Sequence, residues 1–482
     1  MIALVVSRAD RASEHIGEHA LELVSWDERV DDERPEEAGG GTYYRRPGFE
    51  LRTFEELHLH LDDAADAFTQ PSLLCFLSRH SGETGPLLSA HFTGNFGPAE
   101  YGGADGELAR ACPGAQKAVV AALDRHAPDG YDVGIECTHH GPSRIGVPSM
   151  FVELGSSDEE WNDPDGARAV ARAVLDLSGV SADLTDGDRT RQVVGFGGGH
   201  YAPRFERVVR ETDWAVGHVG ADWPLDAMGH PREHPDVVRA AFEASAADLA
   251  VVDGDRPSLV DVVREEGFRV VSETFLRATE GVPRTLVSRV EDALGSVDDG
   301  TRFGDHARVG VDGDGGSTPD DSDGDDCDGA RGVALTVVDL PTGLLDEALG
   351  IDQEATRAAV AAHTVGYHTD ENGRRPARRA AFPRAADGRV DRAERKGETM
   401  AAYDRLVGAL CDVLRGGYDE VVRDGDAVVA RESAFDPDAA ATLGVEAGPA
   451  FGRLAAGEPV EVEGRRIDPD AVHRERTVNF QV

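Results

Sequence analysis

Lysine is almost absent: in 482 residues only Lys117 and Lys396 occur, and the remaining cations are arginines. Cysteine is scarce as well. Cys75, Cys112, Cys137, Cys327 and Cys411 are odd in number, widely spaced and form no CxxC, which excludes a disulfide framework and a zinc ribbon and fits a reducing compartment. No run of apolar residues approaches the ~18 that a membrane-crossing helix needs. The opening MIALVVSRAD has neither the basic start nor the long apolar stretch of a signal peptide. These absences predict a cytoplasmic protein with no membrane partner. No internal repeat is found.

What the chain has in abundance is acid. Asp and Glu number 91 against 49 Lys and Arg, a formal charge of −42. Hydrophobic residues still make up 40% of the chain, too many for a disordered acidic protein. The length favours two or three domains, because single cores stop growing at roughly 250–300 residues. The acids are spread along the whole chain instead of forming a tail. That distribution suits molar salt, where the Debye length falls to roughly 3 Å and neighbouring carboxylates repel weakly. The charge therefore does not exclude a nucleic-acid partner, since in such a solvent a local arginine patch can still dock phosphates.

Short apolar runs alternate with helical periodicity up to about residue 280. Strands are predicted at Ile2 to Val6, Leu73 to Leu77, Val133 to Cys137, Phe151 to Leu154, Val193 to Phe196, Trp214 to Val216 and Leu249 to Val252. Amphipathic helices are predicted around Ala115 to Leu123 and Ala167 to Leu175, the second preceded by a capping box at Ser157 and Glu160 and by Asp163-Pro164. This alternation predicts an α/β fold, a mixed and mostly parallel sheet flanked by helices. Residues 297–330, rich in Asp, Gly and Ser, read as an acidic disordered linker or insertion; their DxDG spacing lacks the Glu and flanking helices of a calcium loop. The expected organisation is a catalytic α/β domain at 1–296, this linker, and a smaller α+β module at 331–482 with a hairpin at VEVEG and RRI.

Chemistry-bearing residues gather in four loops that follow predicted strands. These are Ser78-Arg79-His80-Ser81; His91 to Gly97, running on to Tyr101-Gly102-Gly103; Glu136 to Pro142; and Gly195 to Pro203, with Gly217-His218 one strand later. In open α/β sheets ligands bind beyond the carboxyl ends of the strands, so one crevice would collect them. Six of the seventeen histidines, His80, His91, His139, His140, His200 and His218, lie in these loops. One loop histidine is usually structural, but six in comparable places favour a site, and neutral imidazole is the commonest zinc ligand. His139 and His140, if extended, would point to opposite sides, so only one is expected to face a ligand. Gly197, Gly198 and Gly199 could offer backbone amides to an anion or simply make a tight turn; they form neither a dinucleotide fingerprint nor a P-loop. Glu136 and Glu153, at strand ends, are candidate bases or metal carboxylates. From residue chemistry alone the reading stops at a metallohydrolase.

The strings SRHS, HFTGNFG with YGG, ECTHHGPS followed by VPSMFVELGSSDEEW, and VVGFGGGHYAPR followed by GHVG resemble, in order and spacing, the archaeal and plant type of D-aminoacyl-tRNA deacylase. The resemblance covers roughly residues 1 to 280. It implies hydrolysis of the ester between a D-amino acid and tRNA, zinc as cofactor, D-aminoacyl-tRNA as partner, and a fold related to peptidyl-tRNA hydrolase and phosphorylase-like proteins. On that basis Glu136, His140, His200 and Tyr201 are expected to be catalytic. His80, His91, Asn95, Gly197, Gly198, Gly199 and Arg204 are expected to bind substrate, and a subset of His139, His140, His200, His218 and Glu153 to bind zinc. Short members of the family often continue the GH motif with Pro-Lys-Tyr, whereas this chain has Gly220-Ala221-Asp222-Trp223-Pro224, so Arg204 or Arg232 would have to meet the phosphate. A monomer is expected. The alternatives are a zinc-dependent hydrolase of a small peptide or amide, and a non-enzymatic RNA or nucleotide binder.

Overall fold

The computed structural model describes residues 1–308, 334–371, 373–384 and 392–482. Contacts divide it into two compact units, Met1–Glu280 and Gly281–Val482.

The first unit contains two sheets where one was expected. The larger has eight strands in the order β2-β3-β4-β1-β5-β8-β6-β7. They are β1 (Ile2–Ser7), β2 (Asp27–Asp31), β3 (Gly41–Arg46), β4 (Phe49–Phe54), β5 (Leu73–Arg79), β6 (Leu87–His91), β7 (Asp132–Ile135) and β8 (Ser149–Gly155). β4, β1, β5 and β8 run parallel to their neighbours in that series, while β6 pairs antiparallel with β8 and parallel with β7. After a short hairpin, β9 (Thr185–Asp186) and β10 (Arg189–Thr190), the second sheet is wholly parallel, in the order β12-β11-β13-β14. It comprises β11 (Gln192–Phe196), β12 (Ala215–Gly220), β13 (Leu249–Val252) and β14 (Arg269–Val270). The seven predicted strands are all present, four in the first sheet and three in the second. Strands β2 and β3 were missed because their exposed or half-buried, charge-rich residues hide the alternation; β4, which buries Glu50 and Arg52 among its apolar residues, and β6 were missed although both are buried.

Helices α1 (Arg11–Leu23), α2 (Pro113–His126), α3 (Asp158–Trp161) and α4 (Pro164–Leu175) belong with the first sheet. α2 and α4 bury the predicted stripes, including Ala115, Val119, Ala122 and Leu123, and Ala167, Val170, Ala171 and Val174. The start signals belong to two helices. The Ser157–Glu160 capping box opens the one-turn α3, and the Asp163 side chain caps α4 by accepting from the Asp165 amide. Around the second sheet lie α5 (Pro203–Glu211), α6 (Asp222–Met228), α7 (Pro235–Ala244) and α8 (Pro257–Glu265). Phe96, Phe196, Phe242, Val238 and Val263 fill the core there.

In the second unit, Thr301–Phe303, Gly366–Asp370, Arg375–Arg384 and Ala334–Asp339 form an antiparallel four-stranded sheet. Glu420–Asp424, Ala427–Phe435 and His473–Gln481 form another of three strands, and Val460–Val462 pairs with Arg465–Ile467 in the expected hairpin. A core of Leu344, Phe382, Leu406, Leu410 and Val428, among others, joins helix to sheet. The division falls after Glu280 and not at 296, because the Arg284–Leu294 helix and the Thr301–Phe303 strand pack within this second unit. The expected linker therefore begins too early, since 297–308 carries a paired strand and a 3-10 turn. Its remainder, with the DxDG spacing and Cys327, lies outside the described residues.

Candidate active site

The loop after β7 joins the two sheets of the first unit. The Cys137 amide donates to His200 O at 2.8 Å and the Thr138 amide to Val219 O at 2.8 Å. This brings the loop after β11 to the ends of β5, β6 and β8, and the histidines converge. A cleft of about 500 Å³ is lined by Asp10, His58, Ser78, Arg79, His80, Tyr101, His139, His140, Phe151, Glu153, His200 and Tyr201, with Leu57 and Leu59 as apolar wall.

Two buried carboxylates organise the floor. Glu136 accepts from Ser89 Oγ at 2.5 Å, from His80 Nδ1 at 3.1 Å and from His200 Nε2 at 2.8 Å. Glu153 lies 3.7 Å from His80 Nδ1 and 3.6 Å from His91 Nε2. Burial alone would raise the Glu136 pKa, but hydrogen bonds from His200 and His80 hold it well below the usual range; burial would raise Glu153 too, and the imidazoles of His80 and His91 beside it bring it below the ordinary value. The reciprocal effect is that His80, although burial opposes its charge, is pushed up to about 10 by Glu136 and Glu153. Its Nε2 stands 3.3 Å from Tyr201 Oη.

Above this floor sits a group of imidazoles of opposite character. His91 and His140 centroids are 4.7 Å apart, and His139 lies 4.2 Å from His140 and 4.6 Å from His200. His91, His139 and His140 each place Nδ1 against a backbone carbonyl, those of Phe92, Cys137 and Gly141, at 3.0, 2.8 and 3.3 Å. As Nδ1 donors, His139 and His140 keep a lone pair on Nε2, the arrangement metal-binding histidines use; the His91 Nε2 faces Glu153 at 3.6 Å, and although burial opposes its charge that carboxylate pushes its pKa up, so it offers its lone pair once that proton is displaced. The His91 Nε2 is buried without a hydrogen-bond partner. Burial and the neighbouring imidazoles drive His139 well below its ordinary pKa and His140 down to about 4, so both are neutral and able to coordinate. Ligand atoms of His91, His139 and His140 lie within 4.8 Å of one another, as do those of Cys137, His139 and His200, and of His80, Glu136 and Glu153. The donor set thus fits a metal ion. His139 and His140 both face the cleft, against expectation, because 136–142 is loop and not strand.

Several expected roles do not survive the geometry. His218 is wholly buried on β12 with Thr138 Oγ1 on Nδ1 at 2.9 Å and Ala109 O on Nε2 at 2.7 Å, so neither nitrogen is open to a metal. The Gly197 amide donates to Gly220 O at 2.7 Å and the Gly198 amide to Asp222 Oδ1 at 3.0 Å. Gly198 lines a separate hollow with Asp222, Asp253, Asp255 and Arg256, an environment that repels anions. Arg204 is tied to Asp253 at 3.0 Å and Glu273 at 3.7 Å, and Arg232 to Asp261 and Glu265, so neither cation is available at the cleft. Asn95 is buried and donates to Gly102 O at 2.9 Å, fixing the Tyr101 loop instead of lining the cleft. Glu136, saturated with donors, orients His200 and His80 and is no free base.

Sequence reasoning missed Asp10, His58 and Ser89 as members of the site, and gave Arg79, although it stands in the first of the four loops, no role. Asp10 follows β1 directly, so the strand-end rule would have found it; it caps α1 and accepts from the Arg79 amide at 3.0 Å. His58 carries no such signal. It lies 3.7 Å from Asp10, and burial pushes its pKa down to about 3.

The family model described as D-aminoacyl-tRNA deacylase matches residues 67–271. A protein of Halorubrum lacusprofundi named D-aminoacyl-tRNA deacylase is 52% identical over 100% of this chain and 97% of its own. The chain belongs to the D-aminoacyl-tRNA deacylase family. A family member from Methanoregula boonei is 32% identical over 98% of this chain and 96% of its own, so the second unit is shared with relatives outside the haloarchaea. A crystal structure described as a conserved protein of unknown function is 27% identical with a TM-score of 0.50, covering 57% of this chain and 96% of that one. That share is about the length of the first unit, which holds every residue of the cleft. Among the described residues no helix is long and apolar enough to cross a membrane.

Proposed function

We propose that the histidine-lined cleft hydrolyses the ester joining a D-amino acid to tRNA, with zinc held by His91, His139 and His140. The observation that carries this is the trio of imidazoles whose Nδ1 atoms each meet a backbone carbonyl, which turns their Nε2 atoms toward one another above a floor of two ionised carboxylates. Zinc bound there would supply Lewis acidity to the ester carbonyl and to water. The chain's own groups do the rest. His200, held through Nε2 by Glu136, is placed to orient water, and Glu136 stabilises the imidazolium formed when a proton is taken up. His80, charged and donating toward Tyr201, leaves the Tyr201 hydroxyl proton free to point at the carbonyl or leaving oxygen. The side chain of the amino acid would lie against Leu57, Leu59 and Phe151, where selection against the L-form would arise by exclusion.

The acidic composition, and relatives from haloarchaea, support action in a salt-rich cytoplasm. The test is deacylation of D- and L-Tyr-tRNA in molar KCl, with and without a chelator. Hydrolysis of the D-form alone, lost on chelation and restored by zinc, is expected. Equal rates on both enantiomers would overturn the chirality reading. Cleavage of free D-peptides with charged tRNA left intact would favour the small-substrate hydrolase.

A further inference from the structure

Among the described residues only five large hydrophobic side chains are exposed: Val30, Tyr101, Tyr201, Trp223 and Val422. Three are aromatic, and all three stand at one place. Tyr101, 58% exposed, and Tyr201, 37% exposed, line the cleft, and the Trp223 ring, 47% exposed, is centred 6.4 Å from that of His139. Every other aromatic side chain among the described residues is buried or half-buried, so these three are not exposed by accident of composition.

Both outer rings rest on braced backbone. The Tyr101 carbonyl accepts from the Gly141 amide at 3.1 Å, next to His140, and the following Gly102 is held by Asn95. Gly102 adopts φ +80°, and a Cβ there would come within 1.9 Å of Leu59 O, so the turn that lifts Tyr101 outward requires glycine. Trp223 is braced by a reciprocal pair: the Asp222 amide donates to Gly198 O at 2.9 Å while Asp222 Oδ1 accepts from the Gly198 amide at 3.0 Å. The glycine loop and Asn95, two features that do not touch the cleft themselves, thus position rings at its mouth.

Cations are sparse by comparison. Arg79 is the one Lys or Arg among the residues lining the cleft. A single-stranded RNA end can be held either through its phosphates or through its bases, and base–aromatic stacking does not weaken as salt rises in the way phosphate pairing does.

We infer that Tyr101 and Trp223 form a stacking platform for the unpaired bases at the 3′ end of the tRNA, which carries the ester into the cleft; this rests on the deacylase reading above. Recognition of the RNA end then depends on ring faces and one arginine, not on a basic surface, and suits a protein of charge −42.

The experiment measures binding of a labelled, uncharged RNA hairpin ending in single-stranded CCA, in 1–3 M KCl, together with KM and kcat for D-Tyr-tRNA. Tyr101→Ala and Trp223→Ala should each weaken RNA binding and raise KM by about 10-fold, with kcat falling much less, and the double variant should lose more. Tyr101→Phe and Trp223→Phe keep a ring and should restore most of the affinity. The logarithm of affinity should fall with the logarithm of salt at a slope of about −0.7 to −1.4, as for one or two phosphates. A double alanine variant that binds like the wild type, or a steep salt slope, would overturn the platform. Because uncharged RNA binds without hydrolysis, a wild-type protein that binds it through these rings yet leaves D-Tyr-tRNA intact would count against the deacylase reading and not against the stacking.

Discussion

The histidine cleft and the glycine loop after β11 present the same kind of sequence, Gly and His immediately beyond a strand, yet they do different work. In the cleft, local carbonyls of Phe92, Cys137 and Gly141 occupy the Nδ1 side of three imidazoles and leave the other nitrogen open. In the glycine loop the amides of Gly197 and Gly198 are already satisfied by Gly220 and Asp222, and carboxylates face them. A strand-end loop is therefore functional when its polar groups are left unsatisfied by the fold, and structural when the fold has supplied their partners.

The sharpest test of that contrast is His140→Ala with His139→Ala. Each should lower deacylation by at least about 100-fold and lower bound metal, measured by elemental analysis. Unchanged metal content would mean that the open nitrogens of the cleft are no more functional than those of His218. Next, Glu136→Gln keeps the shape but removes the charge that holds His200 and His80. Activity should fall about 10–100-fold and its pH profile should shift, because His80, pushed up to about 10 by Glu136 and Glu153, loses one of its two buried counter-charges and so gives up its proton at lower pH.

Much of this contrast was legible in the chain, and what was not had a physical reason. The seven strand runs and the helix stripes of α2 and α4 are local patterns, and they appear where expected. The gathering of His80, His91, His139, His140 and His200 followed from the rule that α/β ligands sit at strand ends. The exclusion of His218 did not, because its two partners, Thr138 and Ala109, lie 80 and 109 residues away in sequence. Gly198 is likewise decided by Asp222, and Arg204 by Asp253 and Glu273. The split into two sheets was invisible because apolar runs report strands and not which strands pair. His58 reached the site from a 3-10 turn with no motif around it.

A smaller effect separates structural from functional histidine by pH. His218 is buried and neutral, its pKa driven down to about 4 by burial. Below about 6.5 the unfolded chain binds a proton that the folded protein refuses, so the stability contributed by this residue is complete above about 6.5 and is lost as the pH falls toward 4. The slope from this one group approaches about 1.4 kcal/mol per pH unit. Thermal unfolding in molar KCl should therefore show Tm falling across that range, with a shallower fall in His218→Gln, which lacks the titrating ring. An identical slope in both proteins would remove His218 from the account.

The smallest expected effect belongs to Arg204, which the family resemblance offered, with Arg232, as the cation to meet the phosphate. Its guanidinium is held by Asp253 at 3.0 Å and Glu273 at 3.7 Å, and both acids are partly exposed, so the pairs contribute only about 0–1 kcal/mol of stability in salt. If the cleft takes RNA through rings and Arg79, Arg204→Ala leaves KM for D-Tyr-tRNA within about twofold of the wild type, a change under the ~1.4 kcal/mol that a tenfold effect represents. A tenfold rise in KM would mean that Arg204 exchanges its carboxylate partners for phosphate when tRNA arrives. The glycine loop, one turn before it, would then belong to the binding surface after all, and the contrast with the cleft would be one of order of engagement and not of role.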